Sequence, residues 1–103
     1  MRLSDQMESG VELLAQVAEE AALNEVDFKV GFAKALLAAA MNATGKITVG
    51  DKEAQATVEC EYLMRARLIS NARHEVSVER LRTLRSRIDS LRTVSANLRS
   101  MGG

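Results

Sequence analysis

Few residues in this chain have the chemistry of a reactive site, and their spacing points to contact rather than catalysis. His74 is the sole histidine and Arg73 precedes it, so a metal ion is disfavoured there and a solvated helix face is expected. Cys60 is the sole cysteine, so no disulfide can form within the chain. Glu59 and Glu61 flank it with the wrong sign to stabilise a thiolate, so a structural or partner-facing role is expected. The acids Glu19 and Glu20, like Glu59 and Glu61, diverge around a helix instead of converging. No H-E-x-x-H, C-x-x-C, P-loop or G-x-S-x-G pattern occurs. Gly45 and Gly50 read as turn punctuation rather than a phosphate cradle. The expectation is a protein that is not an enzyme, with no catalytic, cofactor-binding or metal residues.

The chemistry left is that of arginine. Residues 62–103 hold nine arginines against three acids, while residues 1–61 hold eleven acids against five bases. The formal net charge is zero, so the halves can neutralise each other. A second option is that Arg67, Arg82, Arg85, Arg92 and Arg99 track phosphates along nucleic acid. This half has no lysine and no aromatic residue after Tyr62, and no helix-turn-helix, zinc or RNA-platform motif. Self-neutralisation is therefore the favoured reading.

Two long helices must position these residues. Proline is absent, only three residues are aromatic, and alanine, leucine, glutamate and arginine dominate. Met7, Val11, Leu14, Ala18, Ala21, Glu25, Phe28, Phe32, Ala35 and Ala39 recur in fours and threes, a heptad seam over a helix of about residues 4–43. Ser4 or a neighbour should cap it, with Asp5 and Glu8 in the first turn. A turn over about 44–49 follows, with Gly45 as a left-handed helix end and Thr48 and Asp51 as the next cap. So short a connection folds helix two, about 49–100, back antiparallel, the alternative being a single kinked helix. Val58, Tyr62, Ile69, Ala72 and Val76 form its first stripe. After a phase slip near 77–80 come Leu81, Leu84, Ile88, Leu91, Ser95 and Leu98.

In that heptad Arg85, Arg92 and Arg99 fall at e and Arg80 and Arg87 at g, lining both sides of the seam. The flanks of helix one are small or apolar (Ala15, Val17, Ala22, Gly31, Ala38), which allows close approach. Its acids Glu12, Glu19, Glu20 and Asp27 lie one step further out, within expected reach of the arginines. Glu25 within the seam needs a partner, for which Arg73 and Asn71 are the candidates, or else partial solvation.

One hairpin leaves apolar surface uncovered. Leu23, Val26, Val30, Leu37 and Met41 form a second stripe on helix one, and Cys60, Leu63, Met64 and Leu68 lie off the main seam of helix two. A helix apolar on two sides is buried between several neighbours. The expected fold is thus all-α: a single-domain, coiled-coil-like antiparallel two-helix hairpin over 1–103 that dimerises into a four-helix bundle. Leu23, Val26, Val30, Leu37, Met41, Cys60, Met64 and Leu68 are the candidate self-association residues. Helix two is the longer, roughly 75 Å against 60 Å, so Val94, Leu98 and Met101 project as a candidate second interface.

The longest strongly apolar stretch, "ALLAAAM" at 35–41, is too short to span a bilayer, and the N-terminus lacks a signal-peptide run. With a single cysteine, this suits a cytoplasmic protein without a membrane partner.

The segments "FAKALLAAA", "GKITVGDKEAQATVECEYL" and "ERLRTLRSRIDSLRTVSANLR" resemble, in that order, small helical proteins of tailed bacteriophages and prophages. Such proteins are often encoded near recombination and replication genes, and the resemblance spans about residues 28–100. It implies a phage setting and the host cytoplasm, not an activity. Secreted helical hairpins with a Trp-x-Gly turn are disfavoured, because tryptophan is absent. The leading expectation is a non-enzymatic accessory factor that offers a rigid helical surface to a host or phage protein. The alternatives are a nucleic-acid-binding accessory protein in recombination or replication, and a structural oligomer.

Overall fold

The structure, a computed structural model, describes residues 2–43 and 45–102. They form three α-helices and no strand: α1 (Leu3–Asn42), α2 (Val49–Glu59) and α3 (Glu61–Gly102). α1 packs against α2 and α3, and the Cα atoms extend over 85 × 21 × 13 Å, a rod two helices wide. No helix among the described residues is long and apolar enough to cross a membrane.

The helix ends follow local chemistry. Asp5 lies in the first turn of α1, where a carboxylate suits the helix dipole. Ser4 lies inside that turn and is not the cap; Arg2 takes the cap position without a side-chain bond. α1 stops when Ala43 turns extended, at φ −69° and ψ 132°. No glycine among the described residues has positive φ, so Gly45 does not end the helix in a left-handed conformation. The expected turn residue Thr44 lies outside the described residues. Thr48 caps α2 as its spacing predicts: its hydroxyl accepts from the Asp51 N–H at 3.1 Å.

α2 and α3 together correspond to the expected second helix, broken at Cys60. There the backbone leaves the helical range (φ −98°, ψ 16°). The Cys60 N–H still donates to the Ala56 carbonyl, and the Met64 N–H to the Cys60 carbonyl, both at 2.9 Å. The break therefore disturbs the rod without ending it. Thr57 precedes it, with its hydroxyl donating to the Glu53 carbonyl at 2.7 Å, a back-bond of the kind that bends helices.

The heptad of the open end runs the whole way back to the turn, and the expected phase slip at 77–80 does not occur. With Leu81 at a and Leu84 at d, the inward positions are Ala56, Cys60, Leu63, Arg67, Ser70, His74, Ser77, Leu81, Leu84 and Ile88, all buried or half-buried. Val58, Tyr62, Ile69, Ala72 and Val76, the expected stripe, are exposed. The apolar pattern misleads here because the buried members are polar or small. Ser70 is 1% exposed, its hydroxyl donating to the Arg67 carbonyl at 3.0 Å.

The seam of α1 holds as expected except at Val11; Ala18 and Glu25 are half-buried like their neighbours in it. Met7, Leu14, Ala21, Phe28 and Ala35 face inward as read from the sequence, at a. Between them lie Gly10, Val17, Asn24 and Gly31 at d; Val17 is buried and Val11 exposed. Near the turn the buried line moves over to Phe32 and Ala39, as a 3.6-residue helix drifts against a seven-residue repeat.

Two apolar clusters flank a polar middle. Near the turn, Ala35, Ala56 and Cys60 are buried, with Phe28, Phe32, Leu36 and Leu63 packed on them. Toward the open end, Val17 and Leu84 are buried, and Met7, Leu14, Leu81 and Ile88 half-buried. Between the clusters lie Asn24, Glu25, Arg67, Ser70, Asn71, His74 and Ser77.

Candidate functional site

The polar middle is built around Arg67. Its guanidinium pairs with the Glu25 carboxylate, and its charged carbon lies 4.9 Å from the centroid of the Phe28 ring. Lys29 adds a second cation to Glu25 at 3.6 Å. Arg67, rather than Arg73 or Asn71, is thus the partner of Glu25. Arg73 reaches Glu20 instead, at 3.4 Å, and the Asn24 amide donates to the Ala66 carbonyl at 3.4 Å. A polar pairing inside an apolar seam favours one register, since a shifted helix would bury each charge alone. Arg67 is therefore a structural residue and leaves the set of candidate phosphate contacts.

The arginine rows beyond it do not serve the hairpin as expected. Among the described residues, Arg80, Arg85, Arg87, Arg92 and Arg99 make no ion pair, and Glu12, Glu19 and Asp27 receive none. Arg82 pairs with Glu79 on its own helix, and the Arg99 Nε donates to the Ser95 carbonyl at 3.4 Å. The heptad explains this. In an antiparallel pair, g faces g and e faces e. Arg73 at g finds Glu20, but Arg80 and Arg87 find Leu13 and Gln6. Arg85 at e finds Ser4 and Val11. The acids Asp5, Glu8, Glu12 and Glu19 occupy b and f, on the far side of α1. Among the described residues, only the middle of the rod neutralises itself across the two helices.

The other expected site residues divide between core and surface. Cys60 is 4% exposed and packed in the turn-proximal cluster, so it is not available for self-association. Met64 is half-buried, and Leu68 is exposed on the edge that carries Phe32 and Leu36. Leu23, Val26, Val30, Leu37 and Met41 are all exposed. So are Val94, Leu98 and Met101, and every described residue of α3 after Ile88. His74 is half-buried at an a position, not on a solvated face. Among the described residues, no three of His, Cys, Asp or Glu gather where a metal could sit.

One surface was missed by the sequence reading. Leu13, Gln16 and Glu20 of α1 and Ile69, Ala72, Arg73 and Val76 of α3 line an open, mainly apolar groove along one edge of the rod. Extending the Leu81–Leu84 phase toward the turn would have found it, since Ile69 and Val76 then fall at c.

No family model, curated protein or solved structure matches this chain.

Proposed function

We propose that the chain is a non-enzymatic accessory factor that binds a partner protein along the projecting part of α3. The carrying observation is the stripe Leu91, Val94, Leu98 and Met101, exposed at intervals of three and four. It continues the d and g positions of the seam; Leu3 and Ser4 of α1 reach its first residue, Leu91, and Val94, Leu98 and Met101 lie beyond them. Arg87 heads the same line at g, and Arg92 and Arg99 follow its leucines on one side at e, so the matching partner is an amphipathic helix with an acidic edge. The phage and host-cytoplasm setting of this reading rests on the resemblance of the three sequence segments. The test is affinity capture from the native cells with wild type, Leu91→Glu/Leu98→Glu and Arg92→Gln/Arg99→Gln. A partner retained by wild type and lost with both variants, while helicity is unchanged, supports the proposal. A partner held equally by all three overturns it.

A second reading, nucleic-acid binding, is favoured by the unpaired arginine rows: residues 80–102 carry six arginines and one acid, Asp89. Titration with single- and double-stranded DNA at about 50 and 200 mM salt separates the two, because phosphate binding falls steeply over that range. Absence of binding at the lower salt removes this reading.

Self-association belongs to the proposal as well. The rod is two helices thick, and the outer stripe of α1 lies in water along the turn-proximal half.

A further inference from the structure

The outer side of α1 carries a second heptad seam, distinct from the one that meets α3. Leu23, Val26, Val30, Ala33, Leu37 and Ala40 follow one another at three and four residues, and all six are exposed. In the lettering of the hairpin they are the c and f positions. At about 100° per residue, that face lies roughly 160° from the a and d face. Toward the N-terminus the same line meets Gln16, Glu19 and Glu12, so the seam ends where the charges begin. Met41 lies beside its other end and is 84% exposed.

Resting on the self-association in the reading above, we propose that a second copy of this chain covers this seam, with the two α1 helices antiparallel about a twofold axis near residues 31 and 32. The occupant follows from what borders the seam. One edge carries Glu20, Asp27, Lys34 and Met41, and the other Ala22, Lys29 and Leu36. Neither Asp27 nor Lys34 has an ion-pair partner among the described residues. In the antiparallel register that places Val30 against Ala33 of the second copy, the Asp27 carboxylate meets the other chain's Lys34, twice by symmetry. The same register sets Leu23 against Ala40 and Val26 against Leu37, so large residues meet small ones through most of the contact.

Competing registers are opposed by the same charges. A shift of one heptad in one direction puts Asp27 against its own copy and offers Lys34 only Glu20, which Arg73 already engages; in the other, Lys34 meets its own copy. A parallel pair brings Lys29 beside Lys34 of the other chain. Because the seam lies opposite α3, the dimer is a flat layer, α3–α1–α1–α3, and not a four-helix bundle. Neither Cys60 nor Leu68 takes part, and the projecting end of α3 stays free at each end of the layer.

The test is sedimentation of the full chain and a charge-exchange series. Wild type is expected to dimerise, and Val30→Glu to be monomeric with unchanged helicity. Asp27→Lys and Lys34→Asp are each expected to weaken the dimer roughly tenfold, since two attractions become two repulsions. The double variant, and an equimolar mixture of the two single variants, should regain wild-type affinity. A wild type that stays monomeric at high micromolar concentration overturns self-association itself. A dimer strengthened by Lys34→Asp, or indifferent to the exchange, overturns the antiparallel register while leaving self-association standing. Partner capture by Val30→Glu reports on the α3 surface independently of either result.

Discussion

Near the turn, Gly31 leaves room for Leu63: a Cβ placed on that glycine would lie 2.5 Å from the Leu63 Cδ1. Toward the open end, Gly10 does the same for Leu81, with a corresponding distance of 2.6 Å. In both regions a leucine of α3 fills the notch left by a missing side chain on α1, and a small apolar cluster forms around it. The surroundings differ. Around the turn-proximal cluster, α1 is apolar on its outer face too, and its exposed charges are of both signs. Around the distal cluster, α3 shows arginines on both edges and α1 meets them with Leu13, Gln6, Ser4 and Val11. The comparison separates cohesion from surface chemistry. The two helices are held by the inward positions at both ends, and the arginine rows are left to face water or a partner.

The largest effect is expected on removing an inward residue at the distal end. Leu84→Ala is expected to cost about 3 kcal/mol in denaturant unfolding at fixed protein concentration. A loss under about 1 kcal/mol would mean that the distal end is held by something other than its apolar seam. Next comes the polar middle. Arg67→Leu leaves the half-buried Glu25 with only the more exposed Lys29, and should cost about 2 kcal/mol. Glu25→Leu/Arg67→Leu should recover most of that loss, because an apolar pair continues the seam between the two clusters. If the double variant is worse than the single one, the pair contributes more than register.

A smaller effect is expected where charges cross the helices at the surface. Arg73→Gln loses the contact with Glu20 and should cost no more than about 1 kcal/mol. Smallest is the distal arginine row: Arg85→Gln/Arg92→Gln should leave unfolding within about 0.5 kcal/mol of wild type. A larger loss from that variant than from Arg73→Gln would show that the rows hold the hairpin after all. Hydrogen exchange tests the two regions without mutation. Amides after Ile88 should exchange fastest, those of α1 between Val17 and Ala39 slowest.

Particular residues show how far the sequence could be read. Thr48 and Asp51 announced the start of α2, because an N-cap is a local bond between residues three apart. Leu81, Leu84 and Ile88 announced the distal seam, since each is both apolar and inward. Glu25 announced the need for a partner or for partial solvation without naming Arg67, because the register between two helices is not a local property. Cys60, off-seam in the sequence reading, is in the core for the same reason.

Helicity, the place of the turn and the antiparallel run of the two long arms are legible without coordinates. Those outcomes depend on contacts within one turn of helix or across one short connection. Which face of α2 and α3 looks inward between residues 56 and 77 is settled by packing against α1. Hydropathy reports how each side chain partitions from water, and by that measure Val58, Tyr62, Ile69 and Val76 outrank Ser70, His74 and Ser77. The backbones of two helices approach closely only along small residues, and what lies on that line is buried whatever its polarity. The same geometry decided that the arginine rows meet no acids on α1, a matter of angular position around a helix that composition and net charge do not contain.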